Sequence, residues 1–391
     1  MEEIFVCPIC GNDDPKYYGY RNGKIYCRKC ISFQGQEVKG DESYPKSVNY
    51  YLEYNLSKEQ EELSNTLVSN YKNGINTLVH AVCGSGKTEI VLEVIRYAVS
   101  CGDRVGFAIP RRDVVIEIHE RIQSIFKDNK VISVYGGHND ILEGDIVVLT
   151  THQLFRYCNY FDLLIIDEID AFPFRGNDLL DAFFHRSIKN KYIMMSATPY
   201  PNVIEMFSKQ GYQIVELFSR FHKHPLPVPV VKIGKAFIKY TILYDEVKRF
   251  IKNEKKIFIF APTIEICEEI YSFLSLLIKG GEYVHSKRKE RSEIISNFKQ
   301  GKYRYLVTTA VLERGVTFKD LQVIVFKADH AVYDSHALIQ IAGRVGRKKD
   351  APDGEVIYIA NKANNEMLES ISEIKRANAS LQNMFQRDKT E

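Results

Sequence analysis

The most informative segment of the 391-residue sequence is an eight-residue loop, Ala81-Val82-Cys83-Gly84-Ser85-Gly86-Lys87-Thr88. An apolar run precedes it, and a helical pattern of apolar residues follows it, at Ile90, Val91, Val94, Ile95 and Ala98. Glycines between a strand and a helix let backbone N–H groups turn toward phosphate oxygens at the helix N-terminus. The loop therefore predicts a nucleotide site in which Lys87 reaches the terminal phosphates of ATP and Thr88 supplies a hydroxyl to Mg²⁺. A glycine turn that binds nothing is the alternative.

Short apolar runs alternate with helical patterns on both sides of this loop. The runs are 76–81, 105–109, 146–149, 163–166 and 192–195 and, after Pro225, Pro227 and Pro229, 257–260, 305–309, 323–326 and 356–359. Such alternation is typical of parallel sheets covered by helices on both faces, and proline continues neither a helix nor a central strand. We therefore expect two tandem parallel-sheet α/β lobes, at 46–218 and 219–391, behind a small module at 1–45.

Carboxylates follow the apolar run that ends at Ile166, in the order Asp167-Glu168-Ile169-Asp170. The tip of a parallel strand faces the crevice where ligands bind, so we expect Asp167 to hold Mg²⁺ and Glu168 to polarise the attacking water. Ser196 and Thr198 follow another apolar run, where hydroxyls can hydrogen-bond the carboxylates and couple them to the nucleotide state. Solvated acids and a local turn before Pro199 are the alternatives.

Arginines and hydroxyl residues supply the remaining candidates. Two guanidinium groups lie three residues apart in the segment Gln340-Ile341-Ala342-Gly343-Arg344-Val345-Gly346-Arg347. We expect Arg344 and Arg347 to reach ATP held by the first lobe. A solvated helix end is the alternative. Replacing Arg347 with Ala should then abolish turnover but spare ATP binding.

Loop ends rich in arginine and threonine suit the phosphates of nucleic acid. The candidate residues at such loop ends are Arg111, Arg112, Thr150, Thr151, His152, Gln153, Thr308, Thr309, Arg314 and Gly315.

Two CxxC pairs, Cys7 with Cys10 and Cys27 with Cys30, are separated by sixteen residues. This spacing is typical of a Cys₄ zinc site, and four thiolates leave no open position, so the zinc should be structural. Nearby cations and tyrosines could bind single strands, build a small core or dock a protein, and the sequence does not rank these. They are Arg21, Lys24, Arg28, Lys29, Tyr17, Tyr18, Tyr20 and Tyr26. The other four cysteines are expected to be buried thiols.

Composition sets broad limits. Hydrophobic residues make up 45% and charged residues 26% of the chain, which are values typical of globular proteins. The net charge of +3 neither demands nor excludes a polyanionic partner. No apolar run approaches the ~18 residues that span a bilayer, and Met1-Glu2-Glu3 does not resemble a signal peptide. We expect a cytoplasmic protein, able to dock peripherally at the inner face of the membrane.

Together these motifs resemble a superfamily 2 helicase over residues 50 to 350. Gln60, in Leu56-Ser57-Lys58-Glu59-Gln60, is similar to the adenine-recognising Q motif, and Phe298 through Gly315 follows the second-lobe pattern. The resemblance implies two RecA-like lobes and adds Gln60, Gly315 and Gln340 to the residues that contact nucleotide. A DEAD-box RNA helicase would carry Ala at position 169.

Three features narrow the resemblance to the ComFA family of late competence proteins. These are the Cys₄ module in front, the acidic box Asp167-Glu168-Ile169-Asp170 with its continuation Ala171-Phe172-Pro173-Phe174, and the segment Leu312-Glu313-Arg314-Gly315-Val316-Thr317-Phe318. The family implies a single-stranded-DNA-dependent ATPase that draws transforming DNA inward at the cytoplasmic mouth of the ComEC channel. The replication-restart helicase PriA, whose zinc motifs interrupt the second lobe, and an ATP-switched clamp that moves nothing remain alternatives.

Overall fold

The computed structural model describes residues 5–40, 44–82, 84–171, 173–218, 224–309, 318–346 and 350–387. They fall into two compact units: Met1–Ala81 with Gly86–Leu217, and Val82–Ser85 with Phe218–Glu391. Arg314, Gly315 and Arg347 of the predicted site lie outside the described residues. The domain boundaries expected from the sequence, after residues 45 and 218, stay predictions.

The first unit begins with a small module that contains little regular structure. Its elements are a 3₁₀-helix at Pro15–Tyr17, the strands β1 (Tyr18–Arg21) and β2 (Lys24–Cys27), and the two-residue strand β3 (Val38–Lys39). Strands β1 and β2 form an antiparallel hairpin. The hairpin turn consists of Asn22 and Gly23, whose φ angles of 48° and 73° are the left-handed values that a tight two-residue turn requires.

A seven-stranded parallel sheet forms the body of the first unit, in the order β11-β4-β10-β9-β5-β7-β6. Its strands, with the short β8 that lies outside the sheet, are β4 (Thr77–Ala81), β5 (Val105–Ile109), β6 (Val131–Val134), β7 (Ile146–Thr150), β8 (Tyr157–Cys158), β9 (Phe161–Ile166), β10 (Ile188–Ser196) and β11 (Gln213–Leu217). All residues of β5, β7 and β9 are buried, because helices or loops cover both faces.

Helices pack on the two faces of this sheet. They are α1 (Lys58–Lys72), α2 (Lys87–Ser100), α3 (Arg112–Ile125), α4 (Asp178–Ser187) and α5 (Pro201–Lys209), with a 3₁₀-helix at Thr151–Arg156. Helices α1 to α3 contribute to one apolar cluster. The cluster on the other face combines α4 and α5 with the four cysteines of the front module. The module therefore shares a hydrophobic core with the lobe.

The second unit contains a six-stranded parallel sheet in the order β12-β17-β16-β13-β15-β14. Its elements are β12 (Val230–Ile233), α6 (Ile238–Lys252), β13 (Lys256–Ala261), α7 (Ile264–Leu277), β14 (Gly281–Val284), α8 (Arg291–Lys299), β15 (Tyr305–Thr309), β16 (Leu321–Phe326), α9 (Ser335–Ala342), β17 (Val356–Ala360) and α10 (Asn365–Arg387). Two parallel-sheet α/β lobes are thus confirmed.

Candidate functional site

The glycine loop connects β4 to α2 and has a backbone conformation that residues other than glycine rarely adopt. Gly84 and Gly86 have φ angles of 83° and 84°, and Gly86 is the N-cap of α2, where it has no side chain to bond the first turn. The first N–H groups of a helix have no partner within the helix, so their partial positive charge can hold an anion. Lys87 and Thr88 occupy the first turn, where a phosphate would lie.

Gln60 lies against this loop. It closes a capping box at the start of α1, in which Ser57 N donates to Gln60 Oε1 at 2.9 Å and Gln60 N donates to Ser57 Oγ at 3.3 Å. A Cβ added at Gly86 would come within 2.4 Å of Gln60 Nε2. The side chain assigned to adenine recognition is therefore held in place by the helix cap and borders the loop assigned to the phosphates.

We predict that Gly86→Ala weakens ATP binding at least about tenfold more than Gly137→Ala does, as measured by titration with a fluorescent ATP analogue. Both glycines have left-handed φ angles, 84° and 79°, so both substitutions strain the backbone. Only Gly86 has the Gln60 amide within 4 Å of an added Cβ, whereas nothing lies that close at Gly137. Equal effects of the two substitutions would show that the contact between Gln60 and Gly86 is irrelevant to the nucleotide.

Asp167 and Glu168 follow β9, and β10 lies between β9 and β4. Asp167 N donates to Ala108 O at 2.9 Å, and Glu168 N donates to Asp167 Oδ1 at 2.8 Å. Burial raises the pKa of the Asp167 carboxyl to about 6, while the nearby Lys87 ammonium acts in the opposite direction. The Lys87 ammonium and the Asp167 carboxyl are thus electrostatic neighbours, and these two groups are of the kinds that bind phosphate and Mg²⁺.

Glu168 has a left-handed backbone with φ of 57°. Such a conformation costs a residue other than glycine roughly 1–2 kcal/mol, and it tends to persist at functional sites where the surroundings fix it. Here the fixed neighbours are Ile169, whose N donates to Met195 O at 3.4 Å, and Ala171, whose N donates to Glu168 O at 2.9 Å. The chain therefore holds Glu168 at the tip of β9 through a bond to β10 and through the turn that ends at Ala171.

The hydroxyls of Ser196, which ends β10, and of Thr198 bind Asp170. Ser196 Oγ donates to Asp170 Oδ1 at 2.8 Å, and Thr198 Oγ1 donates to Asp170 Oδ2 at 3.1 Å. Thr198 N also donates to Ser196 Oγ at 2.9 Å, so the local turn and the bond to a carboxylate occur together. Asp170 is only 5% exposed, which makes this a buried, charge-assisted link between the ends of β9 and β10.

The residues of the first unit assigned to nucleic acid lie at or just after the carboxyl ends of β5 and β7, which are neighbouring strands. Arg111 forms an ion pair with Asp113 at 2.8 Å, and the Arg112 guanidinium lies 4.8 Å from the centre of the Tyr135 ring. Thr150 and Thr151 are buried. The Thr151 hydroxyl has no hydrogen-bond partner among the described residues. These assignments stay predictions.

His152, the next residue assigned to nucleic acid, faces the front module. Its ring stacks on Phe33 with ring centroids 6.2 Å apart and planes inclined by 10°. Burial lowers the pKa of His152, so the imidazole is favoured in its neutral form. A contact of His152 with nucleic acid would therefore rest on a hydrogen bond or on ring stacking more than on charge.

In the second unit, Thr308 and Thr309 end β15 and are buried. Gln340 lies in α9, and Arg344 follows that helix with only 5% of its surface exposed, so the interpretation as a solvated helix end does not fit Arg344. Residues 287–291 of the second unit form a further basic stretch, in which Arg288 forms an ion pair with Glu282 at 3.2 Å and lies over the Tyr283 ring. Local packing accounts for that arginine.

The four front cysteines form one cluster. Cys7 Sγ lies 3.6 Å from Cys30 Sγ, Cys10 Sγ lies 3.7 Å from Cys27 Sγ, and all four sulfurs lie within 4.8 Å of one another. Four sulfurs at about 2.3 Å from a zinc ion in a tetrahedron are about 3.8 Å apart. Burial raises the pKa of Cys10 to about 11, a cost that a bound cation would offset by stabilising thiolates. The donor set therefore fits structural zinc.

Residues that hold the module on the lobe were not expected from the sequence. Strand β3 pairs in parallel with β8, and Phe33 packs against Phe155 and Phe183 with ring centroids 5.7 and 5.0 Å away. Arg186 donates to Pro8 O at 3.2 Å and forms an ion pair with Glu37 at 2.6 Å. Arg156 donates to Gln36 O at 3.1 Å. The module is fixed to the segment that follows β7 and to α4.

Comparison with known proteins agrees with this arrangement. Residues 57–207 match the DEAD/DEAH box helicase family, and residues 238–349 match the helicase conserved C-terminal domain. The competence protein ComFA of Bacillus subtilis is 33% identical over 96% of this chain and 86% of its own length. That of Streptococcus pneumoniae is 32% identical over 95% of this chain and 90% of its own length.

The chain belongs to the ComFA family. It is therefore a helicase-family ATPase of superfamily 2, as the sequence predicted.

Solved structures show the same RecA-like fold. Yeast Dbp5 bound to RNA and ADP BeF3 matches with a TM-score of 0.60 at 16% identity, over 82% of this chain and 91% of that one. RecG bound to a three-way DNA junction matches with a TM-score of 0.58 at 20% identity, over 83% of this chain and 45% of that one.

Every helix within the described residues is too short or too polar to cross a membrane.

Proposed function

We propose that this ComFA-family protein is a single-stranded-DNA-dependent ATPase that moves along its strand and so helps to draw transforming DNA into the cell. The observation that carries the proposal is that the glycine loop with Lys87 follows β4 and Asp167 follows β9, at the carboxyl ends of two strands of one parallel sheet, in a chain similar to ComFA over nearly its whole length. That similarity favours competence over replication restart.

Within the first lobe, each side chain has a distinct role in this proposal. The glycine loop and the start of α2 bind the phosphates, Gln60 binds adenine, and Lys87 binds the terminal phosphates. Thr88 and Asp167 hold Mg²⁺, which when bound neutralises charge that develops on the transferred phosphoryl group. Glu168 orients and polarises the attacking water.

The second lobe supplies the guanidinium groups. Arg344 and Arg347 stabilise charge on the phosphoryl group in the transition state, and Gly315 and Gln340 contact the nucleotide. The burial of Arg344 supports this role, because a guanidinium shielded from water acts more strongly on an anion than one in solvent. Hydrolysis then depends on both lobes and can accompany their relative motion.

Nucleic acid is held by backbone groups, hydroxyls and arginines at strand ends in both lobes. The residues are Arg111, Arg112, Thr150, Thr151, His152, Thr308, Thr309 and Arg314. Such contacts favour phosphates over base edges, so the grip is independent of sequence. We place the protein in the cytoplasm at the inner face of the membrane, with the ComEC channel and other competence proteins as partners.

Displacement of streptavidin from a biotinylated single strand tests movement. We expect the wild-type chain to remove streptavidin from one strand end in the presence of ATP, and Glu168→Gln to leave it bound. An ATP-switched clamp shares the same nucleotide site but does not move. Strand-dependent hydrolysis without displacement at either end would therefore favour the clamp and contradict translocation.

We predict that the double change Ser196→Ala and Thr198→Ala reduces strand stimulation of hydrolysis by about tenfold or more, while ATP binding stays within about twofold. The two hydroxyls connect the end of β10 to Asp170, next to the acids at the end of β9. Steady-state ATPase rates with and without DNA measure the effect. The control Ser208→Ala removes a helix hydroxyl bonded to Ile204 O. Equal loss of basal and stimulated rates would contradict a coupling role.

A further inference from the structure

The hairpin of the front module ends in a tip, residues 20–25, whose side chains are all exposed. Tyr20 is 72% exposed and Ile25 is 36% exposed, and the two are cross-strand partners on one face of the hairpin. Arg21 and Lys24 are cross-strand partners on the other face. The Asn22-Gly23 turn suits a tight hairpin, so the tip is a defined shape and not a loose loop.

The charge around this tip has one sign. Between Asp14 and Glu37 the sequence contains five cations and no acidic residue. Lys16 forms an ion pair with Asp14 at 2.6 Å, Arg28 donates to Lys16 O at 3.1 Å, and Lys29 lies over the Tyr17 ring. The side chains of Arg21 and Lys24 form no ion pair or hydrogen bond with any residue that the structure describes, although the two residues pair across the hairpin. The two tip cations are available to an anion.

Three of the four tyrosines have structural roles. The Tyr18 hydroxyl lies 2.6 Å from Phe5 O, and its ring meets Phe5 edge to face. Tyr26 covers Gly19 so closely that an added Cβ would lie 2.3 Å from the ring. Tyr17 lies beneath Lys16 and Lys29. Tyr20 alone of the four presents a mostly exposed ring, and core formation does not explain its position.

We propose that this tip is a contact for single-stranded nucleic acid, in which a base stacks on Tyr20 and backbone phosphates bind Arg21 and Lys24. Stacking on an aromatic ring combined with nearby cations is the usual way to hold single strands without sequence preference. The exposed apolar surface of the tip is limited to Tyr20 and Ile25, which is small for the centre of a protein–protein interface. The proposal rests on the proposed function, since it adds a contact to the same strand.

Fixed docking makes the contact useful to a motor. The pairing of β3 with β8 and the packing of Phe33 on His152 hold the module on the lobe that carries Thr150 and Thr151. A strand held at the tip is therefore held by the first lobe and moves with it. The module extends the lobe's strand-binding surface instead of tethering the strand through a flexible arm.

Fluorescence anisotropy with a labelled oligothymidine and the full-length chain tests the proposal. We expect Tyr20→Ala to raise the Kd about tenfold and Tyr20→Phe to stay within about twofold, because phenylalanine keeps the stacking face. The double change Arg21→Ala and Lys24→Ala should reduce the slope of log K against log salt by about 1.4, since each phosphate contact to a single strand contributes about 0.7. Tyr20→Ala should leave that slope unchanged.

Matched controls are Tyr51→Ala, at a tyrosine that is 59% exposed, and the pair Lys252→Ala and Lys279→Ala, at exposed lysines of the second unit. Unchanged zinc content and an unchanged basal ATPase rate show that each variant is folded. Tip variants that bind with the wild-type Kd and salt slope overturn the inference while leaving the proposed function intact. A wild-type chain that binds no oligonucleotide overturns both.

Discussion

Replacing Glu168 with Gln should lower the rate of ATP hydrolysis by about 100-fold or more while ATP still binds. The amide keeps the size of the side chain but cannot polarise a water as a carboxylate does, and loss of such a base costs about 10²–10⁴ in rate. The left-handed backbone at Glu168, fixed by bonds to β10 and to Ala171, holds the side chain at the tip of β9 in either variant. Phosphate release and nucleotide titration measure the two quantities.

Glu143→Gln is the matched control, because it makes the same chemical change at an exposed glutamate of the same unit. It should hydrolyse ATP at the wild-type rate. Turnover by Glu168→Gln within about twofold of the wild type would remove Glu168 from the reaction. Loss of ATP binding together with turnover would instead indicate damage to the nucleotide site.

Replacing Cys27 with Ser should release zinc and lower the thermal unfolding midpoint of the first unit by about 10 °C. A structural zinc contributes directly to folding, and for a unit of this size about 1 kcal/mol corresponds to roughly 2–4 °C. The effect should extend beyond the module because its cysteines share an apolar cluster with α4 and the sheet. Differential scanning calorimetry and metal analysis measure the two outcomes.

Cys101→Ser is the control, since Cys101 is an exposed thiol outside the cluster. It should retain zinc and the wild-type midpoint. If Cys27→Ser lost zinc without a shift in the midpoint, the module would be an independent appendage, contrary to the shared core and the ion pair between Arg186 and Glu37.

The parts of the fold that sequence predicts are those set by local patterns. Apolar runs such as 105–109 became strands with matching limits, because a strand buried on both faces must be apolar throughout. The glycine loop and the CxxC pairs were recognisable because their chemistry requires those residue types at fixed spacing. The similarity of this chain to two ComFA proteins confirms the family that these motifs predicted.

Long-range contacts could not be predicted in this way. Arg156 reaches Gln36 across 120 positions, and β3 and β8 are two-residue strands with no periodic signal. The acceptor for Ser196 and Thr198 proved to be Asp170, the last acid of the box, and nothing in the sequence distinguishes it from its neighbours. Cys101, expected to be buried, is exposed. That expectation was wrong because a helix C-cap can face solvent whatever its residue type.

The steady-state ATPase rate of the intact chain, with single-stranded DNA, duplex DNA and RNA as competing activators, tests the central claim most directly. The account predicts that single-stranded DNA stimulates hydrolysis most and that Arg347→Ala abolishes the stimulated rate without loss of ATP binding. Hydrolysis that is indifferent to all three nucleic acids, or that RNA stimulates more than DNA, would contradict it.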